Sequence, residues 1–206
     1  MPFRPTDVSE SCFARARLLL MAVIDEPDME FVHNDTCRAA LIIAVSALDS
    51  YMHWLIYDKL SDIRKGKDIP GSLRKVAVSF VDIAELADAV LADREKIRPW
   101  VKVKNTLQKK LLTETFQSFE QVGTAMSMAG ITEGWKKVSA EIGETSPEIK
   151  KRLNHIVHRR NQIVHEGDVM RKSRPRNVLL NDIGMDQTIK DINWLNDLVK
   201  AIDQIR

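Results

Sequence analysis

Residues 35–60 read DTCRAALIIAVSALDSYMHWLIYDKL, the longest apolar helical stretch of the chain. Its centre is apolar on nearly every side of a helix rather than along one stripe, and such a helix is normally covered on all sides by other helices. The longest apolar run inside it, 39–48, is far too short to span a bilayer. The stretch therefore predicts the buried central helix of a soluble bundle.

Helical periodicity continues on both sides of this stretch, and no strand-like alternation extends far enough to suggest a sheet. Residues 178–182 (VLLND) form the only ambiguous segment. The fold class predicted is all-α, a helical bundle of about seven to eight helices in a single domain over 1–206, with 66–145 as a helical insertion. The predicted helices cover residues 9–24, 35–60, 81–97, 101–112, 115–130, 131–143, 147–166 and 186–205, with a further one opening at Ser72.

Capping residues give the expected ends of three helices. Ser9 is the expected N-cap of the first helix, and Gly130 the expected C-cap of the fifth predicted range. Ser146 followed by Pro147 and Glu148 is a strong start for the penultimate helix.

Composition indicates an ordinary globular chain of the cytoplasm. Of 206 residues, 44% are hydrophobic and only two are cysteines, Cys12 and Cys37, with no CxxC pair. The N-terminal residues lack the apolar core of a signal peptide, so no membrane association is expected. There is no Walker loop, GxGxxG or HExxH, and His155 and His158 alone make a poor metal site. We expect no metal and no cofactor.

The charge distribution is uneven although the net charge is only +2. Residues 148–176 hold nine Lys/Arg against three Asp/Glu, and residues 94–110 hold seven against one, a local +6 in each case. Two basic segments in an otherwise acidic chain are typical of a surface that binds a polyanion. They are equally compatible with two solvated helix faces.

Residues 147–168 read PEIKKRLNHIVHRRNQIVHEGD and contain the pattern Arg160-Asn161-Gln162-Ile163-Val164-His165. An Arg, a polar residue after it and a His a few positions later, near the end of a late helix, resemble the motif of the HEPN superfamily of RNA-cleaving and nucleotide-binding helical domains. The segment RAALIIAVSALDSYMHWLI also resembles the apolar second helix of the RiboL-PSP type of HEPN domain. The resemblance covers most of the chain, with 66–145 least constrained by it.

Helix geometry places the motif residues on two faces. Arg160 falls within an apolar stripe (Ile149, Leu153, Ile156, Val157, Ile163 and Val164), where a guanidinium needs a specific partner. That partner is either a buried carboxylate such as Asp49 or Glu120, or an RNA phosphate. His158, Asn161 and His165 share another face.

A regular helix sets Arg160 and His165 about 140° apart, at 100° per residue. Three arrangements would let them act together: the reach of the arginine side chain, unwinding before Gly167, or contributions from two subunits. His165 lies in the last turn, where the helix dipole favours a cation, so a helix-capping role is the alternative to a catalytic one.

The resemblance implies a metal-independent endoribonuclease of toxin or defence type that uses the 2′-hydroxyl of RNA as nucleophile. Arg160 would then stabilise the phosphate, His165 would transfer a proton and Asn161 would orient His165 or the ribose. The resemblance also implies a homodimer, and His158 is the in-chain alternative for a second proton transfer. The residues expected to hold the RNA backbone are Arg159, His158, Arg171, Lys172, Arg174 and Arg176.

Two other functions fit the same sequence. One is a non-catalytic helical module that binds RNA or nucleotides. The other is a protein-partner module, with a cognate antitoxin or defence-system protein as its partner, in which Arg160 forms a core ion pair.

Overall fold

The fold is known from a computed structural model that describes residues 4–22, 30–91, 99–171 and 177–206. Within these ranges the chain forms eight longer helices and one of four residues, which confirms the predicted all-α bundle. No strand occurs in the described ranges; Val169 and Leu180 make an isolated antiparallel bridge, which accounts for the ambiguous pattern at 178–182. The helices are α1 (Pro5–Met21), α2 (Glu30–Arg64), α3 (Gly71–Arg74), α4 (Phe80–Leu91), α5 (Pro99–Leu111), α6 (Phe119–Met128), α7 (Gly134–Ile142), α8 (Ser146–Glu166) and α9 (Met185–Gln204).

The central helix α2 is covered as its composition predicts. Helices α1, α6, α8 and α9 all pack against it, and most of its middle residues are buried. Taken as a whole, α2 is long and apolar enough to cross a membrane, although its longest apolar run is short; 56% of its most apolar window is buried inside the fold. A core helix passes the same test of length and composition, so this property does not distinguish a membrane span. The buried residues of α2 include Ala40, Leu41, Ala44, Val45, Leu48, Tyr51, Met52 and Ile56.

The start of α1 differs from the prediction. The helix begins at Pro5 with Arg4 as its N-cap, because the Asp7 carboxylate accepts a hydrogen bond of 2.8 Å from the Arg4 backbone N–H. Ser9, the predicted cap, lies inside the helix, where its hydroxyl donates to the carbonyl of Thr6.

The starts of α2 and α8 also move. Helix α2 begins at Glu30 rather than at Asn34 or Asp35, since nothing in 31–34 breaks a helix. Helix α8 takes Thr145 as its N-cap instead of Ser146, and Glu148 closes a reciprocal capping box with Thr145. Ser and Thr are both good N-cap residues, so the local sequence alone does not decide between the neighbours Thr145 and Ser146.

The segment proposed as an insertion has two parts. Helices α6 and α7 contribute Val122, Met126 and Val138 to the common core. Helices α4 and α5 pack on each other, and α5 packs on α2; α4 exposes large apolar side chains such as Phe80 (82% exposed) and Leu91 (85%). Helix α5 buries Leu107 and Leu111 in the common core, whereas no residue of α4 whose burial the structure describes is buried.

Helix α8 carries its apolar stripe into the core for only part of its length. Ile149, Leu153, Ile156 and Val157 are buried against α2, α6 and α7, whereas Val164 is 43% exposed. Beyond Val157 no residue of α8 is fully buried, although Ile163 is partly buried against the core, and the predicted motif lies on this part.

This division of α8 predicts unequal effects of two truncations on its stripe. Leu153→Ala empties a fully buried site and should lower the free energy of unfolding by about 2–5 kcal/mol. Val164→Ala, a matched control on the same helix, should change it by less than about 0.5 kcal/mol. Urea denaturation followed by circular dichroism measures both. Equal losses would show that the hydrophobic core reaches the end of α8.

Candidate functional site

Helix α8 remains regular through the whole motif. It stays α-helical to Glu166 and ends at Gly167, which adopts a left-handed conformation (φ 62°). The backbone N–H of Asp168 then donates to the carbonyl of Gln162 at 3.0 Å and closes the helix end. Unwinding before Gly167 does not occur, so the proximity of Arg160 and His165 needs either side-chain reach or a second subunit.

Arg160 is half-buried where the apolar stripe leaves the core. Its NH1 group donates to the Asn161 Oδ1 atom at 3.0 Å, while its Nε is buried and has no hydrogen-bond partner among the described residues. Both carboxylates considered as partners are engaged elsewhere. Asp49 accepts from the Phe116 backbone N–H at 2.5 Å, and Glu120 pairs with Lys150 at 2.7 Å.

The polar face of the motif is open to solvent. His158 and His165 are exposed and Asn161 is half-buried between them. The structure thus brings Asn161 together with Arg160. Among the described residues, Asn161 forms no hydrogen bond with His165. The Nδ2 group of Asn161 has no acceptor among the residues that the structure describes, and it could donate to a ribose or phosphate oxygen.

A buried carboxylate lies immediately after the motif. Asp168 is only 1% exposed and accepts hydrogen bonds from both terminal nitrogens of Arg159, in a bidentate pair. The Nε of Arg38, on α2, donates to the same carboxylate at 2.6 Å. The Nδ2 group of Asn181 adds a further bond of 3.1 Å. We call these four residues, Asp168, Arg159, Arg38 and Asn181, the Asp168 cluster.

The Asp168 cluster joins three segments of the chain. Arg38 also donates to the Asn181 carbonyl at 2.8 Å, and Arg159 donates to the Asp182 carbonyl at 3.1 Å. Asn181 in turn donates its backbone N–H to the Asp168 carbonyl at 2.9 Å. Helix α2, the end of α8 and the segment after 177 are therefore held at one point.

The electrostatics of the cluster favour an ionised carboxylate. Burial opposes the charge on Asp168, but the hydrogen bonds from Arg159, Arg38 and Asn181 outweigh burial and hold its pKa below the ordinary aspartate value. Because the charge is paired and hydrogen-bonded, its burial is tolerated.

The residues expected to hold RNA are placed differently from one another. Arg159 faces Asp168 and is largely buried, so its guanidinium is engaged inside the protein. Arg171 is 81% exposed and pairs with Glu166 at 2.9 Å. Lys172, Arg174 and Arg176 lie outside the described residues. That these residues bind RNA stays a prediction.

The family assignment rests on nearly the whole chain. The family model for RiboL-PSP-HEPN matches residues 12–205, which include every described helix except the beginning of α1. The chain belongs to the RiboL-PSP-HEPN family. Neither the curated proteins nor the solved structures contain a significant match to it. The HEPN-type domain supports an RNA-cleaving or nucleotide-binding helical module.

In this HEPN domain the chemistry available at the motif is that of a cation and an imidazole. A guanidinium without a carboxylate can bind a phosphate, and an exposed imidazole can accept or donate a proton near neutral pH. Among the residues that the structure describes, no three His, Cys, Asp or Glu side chains lie together so as to hold a metal ion.

Sequence reasoning missed Asp168, Arg38 and Asn181. Two signals were present: Arg38 is a charged residue within an apolar helix, and Asp168 directly follows the helix-ending Gly167. A buried arginine requires an anionic partner, but many carboxylates in the chain were eligible. Only the packing of α2 against α8 selects this one.

The two consecutive arginines should therefore differ in their effect on stability. Arg159→Met leaves the Asp168 carboxylate without its bidentate partner and should lower the free energy of unfolding by about 3–5 kcal/mol. Arg160→Met breaks no ion pair among the described residues and should change it by less than about 1 kcal/mol. Chemical denaturation of the two variants tests this. A large loss in Arg160→Met would mean that Arg160 has a core ion-pair role.

The low pKa of Asp168 predicts how pH changes its contribution to stability. An aspartate whose folded-state pKa is depressed stabilises the fold at pH values above its unfolded pKa of about 3.9, and this stability is lost as the pH falls through the folded pKa. Asp168→Asn should be less stable than wild type by about 3 kcal/mol at pH 7. The difference should shrink below about pH 4. Urea denaturation from pH 7 to pH 3 measures it, and a constant difference would contradict the assignment.

Proposed function

We propose that the chain is a metal-independent endoribonuclease that cleaves RNA through the RNA's own 2′-hydroxyl. The observation that carries the proposal is Arg160, a half-buried guanidinium with an unsatisfied Nε and no carboxylate partner among the described residues. It lies on the same two helical turns as Asn161 and His165, in a domain of the HEPN type. A phosphate oxygen is the acceptor that such a group lacks.

The reaction has three requirements. The 2′-oxygen attacks the adjacent phosphorus as a base removes its proton, the bond from phosphorus to the 5′-oxygen breaks, and an acid gives that oxygen a proton. Arg160 stabilises the negative charge on the phosphorane, and His165 transfers one of the two protons. The products are a 2′,3′-cyclic phosphate and a 5′-hydroxyl.

A second proton-transfer group is needed, since one imidazole does not conveniently serve as acid and base in the same step. A homodimer in which two motifs face one cleft supplies a second His165, and it also brings the Arg160 of one subunit near the His165 of the other. His158, exposed on the same face of α8, is the alternative within one chain.

The biological setting belongs to the same proposal. We place the enzyme in the cytoplasm, as the effector of a toxin–antitoxin or defence system with a cognate partner that restrains it. RNA is its substrate, and the basic residues around the motif, including the exposed Arg171, hold the RNA backbone.

A non-catalytic RNA- or nucleotide-binding module is the second candidate. The observation that favours it is the position of Asn161, whose Oδ1 atom faces Arg160 and leaves His165 without an orienting partner among the described residues. This candidate predicts RNA affinity that survives His165→Ala without any cleavage by wild type.

The test is incubation of purified protein with a mixed-sequence RNA in EDTA. Wild type should cleave, while His165→Ala and Arg160→Ala should lose activity by about 10²–10⁴-fold, the usual effect of removing a proton-transfer or charge-stabilising group. Lys151→Ala, which removes an exposed cation of the same helix, is the matched control and should stay active. Mass spectrometry should find the cyclic phosphate.

Three results would count against the enzyme. Cleavage of matched DNA, which lacks the 2′-hydroxyl, would contradict the mechanism. Full activity in His165→Ala would contradict the assigned site. Intact RNA with wild type free of any copurified partner, together with RNA binding that His165→Ala retains, would favour the binding module.

A further inference from the structure

The last turn of α8 receives little hydrophobic burial, through Ile163, which is partly buried against the core. Val164, His165, Glu166 and Gly167 are all exposed, although the same helix is fully buried at Ile149 and Leu153. Helix ends without packing fray readily, because their last carbonyl groups have no partner within the helix. Contacts outside the core must therefore contribute to fixing the position of His165.

The Asp168 cluster encloses this turn. Arg159 precedes His165 by six residues and Asp168 follows it by three, so their bidentate ion pair closes a loop of chain around the turn. Arg38 attaches the same carboxylate to α2 at 2.6 Å. His165 therefore lies between two points that are both fixed to the core.

The backbone at this point depends on those contacts. Gly167 (φ 62°) and Asp168 (φ 57°) are consecutive left-handed residues, and only the first is a glycine. A residue with a side chain rarely adopts the left-handed conformation, and it persists there where its surroundings hold it. Here the conformation directs the Asp168 carboxylate back towards Arg159 and Arg38.

We propose that Asp168 is a positioning residue: through Arg159 and Arg38 it holds the last turn of α8 so that His165 keeps a fixed place relative to Arg160. Asp168 touches neither side chain and acts through the helix. Because Arg159 directly precedes Arg160 in the chain, the same ion pair also fixes the backbone of the phosphate-binding arginine. The activity measurement below rests on the proposed function; the spectroscopic one does not.

The test compares two removals of a carboxylate by the nearly isosteric amide. Asp168→Asn removes the charge at the centre of the cluster. Asp182→Asn, fourteen residues later, is the matched control. Its exposed side chain forms no hydrogen bond or ion pair with a described residue of the cluster, and its backbone carbonyl, which accepts from Arg159, is retained. Both variants are examined at neutral pH, where the wild-type carboxylate is ionised.

Nuclear magnetic resonance of the His165 imidazole and of the backbone amides of 163–167 is the first measurement. Asp168→Asn should shift and broaden these signals, while signals from the buried half of α8 stay in place. Steady-state cleavage of RNA is the second. The same variant should lower kcat by about 10- to 100-fold with little change in KM, since misplacing a catalytic group affects chemistry more than binding. Asp182→Asn should match wild type in both.

Arg159→Lys keeps the positive charge but cannot form the bidentate pair with Asp168. This variant therefore tests the positioning role if Asp168→Asn fails to fold. It should produce the same changes in the His165 signals and a fall in kcat of about 10-fold. Signals and kcat that match Asp182→Asn in the folded variants would overturn the proposal. Unfolding of both cluster variants would overturn it too, because the cluster would then hold the whole fold.

The two proposals fail separately. If wild type cleaves no RNA, the ribonuclease is wrong, yet the His165 signals still report whether Asp168 positions the last turn. If wild type cleaves RNA and Asp168→Asn cleaves it equally well with unchanged signals, only the positioning role is wrong.

Discussion

The ion pair between Asp168 and Arg159, extended by Arg38, is the interaction on which the motif end of the molecule depends. Arg38 is nearly buried within the long apolar helix α2, and a guanidinium there is tolerated only with an anionic partner. Its partners are the exposed Asp35, on the same helix at 3.1 Å, and the buried Asp168, which serves Arg159 at the same time. The central helix, the end of α8 and the segment after 177 thus meet at the Asp168 carboxylate. A shift of any one of them breaks at least one hydrogen bond to this buried group.

The fold class could be read from the sequence because its determinants are local. Short windows of the sequence show a helix that is apolar on all sides, a capped amphipathic helix and no strand alternation. The two helices are present in the bundle as α2 and α8. Helix starts were less predictable. Several residues near each start can cap, and the choice of Arg4 over Ser9 or of Thr145 over Ser146 follows from the acidic residue that completes a capping box. The exposed apolar surface of α4 is likewise a result of packing that α4's composition does not reveal.

The candidate site likewise has features that are local in sequence and features that depend on tertiary contacts. The positions of Arg160, Asn161 and His165 on α8 follow from helical geometry and could be derived before the structure. Their partners could not. Arg159 and Arg160 look equivalent in sequence, and whether an arginine meets a carboxylate depends on residues that are distant in the chain: Arg38 is 130 positions from Asp168. A pattern within one helix identifies the motif, while tertiary contacts decide which arginine remains without a carboxylate.

Helix α8 is therefore held by two different forces along its length. Its first half is fixed by the burial of apolar side chains, which is non-directional, and its second half mainly by charged hydrogen bonds, which are directional, with Ile163 partly buried against the core. This arrangement leaves the polar face of the second half exposed, as the proposed RNA binding requires, while the helix end stays attached to the core. It also explains why two arginines stand side by side. Arg159 takes the internal carboxylate, whereas Arg160 has a buried Nε that no described residue satisfies. Under the proposed function the Arg160 guanidinium binds an RNA phosphate, and an internal anion for both arginines would leave no cation of the pair for that role.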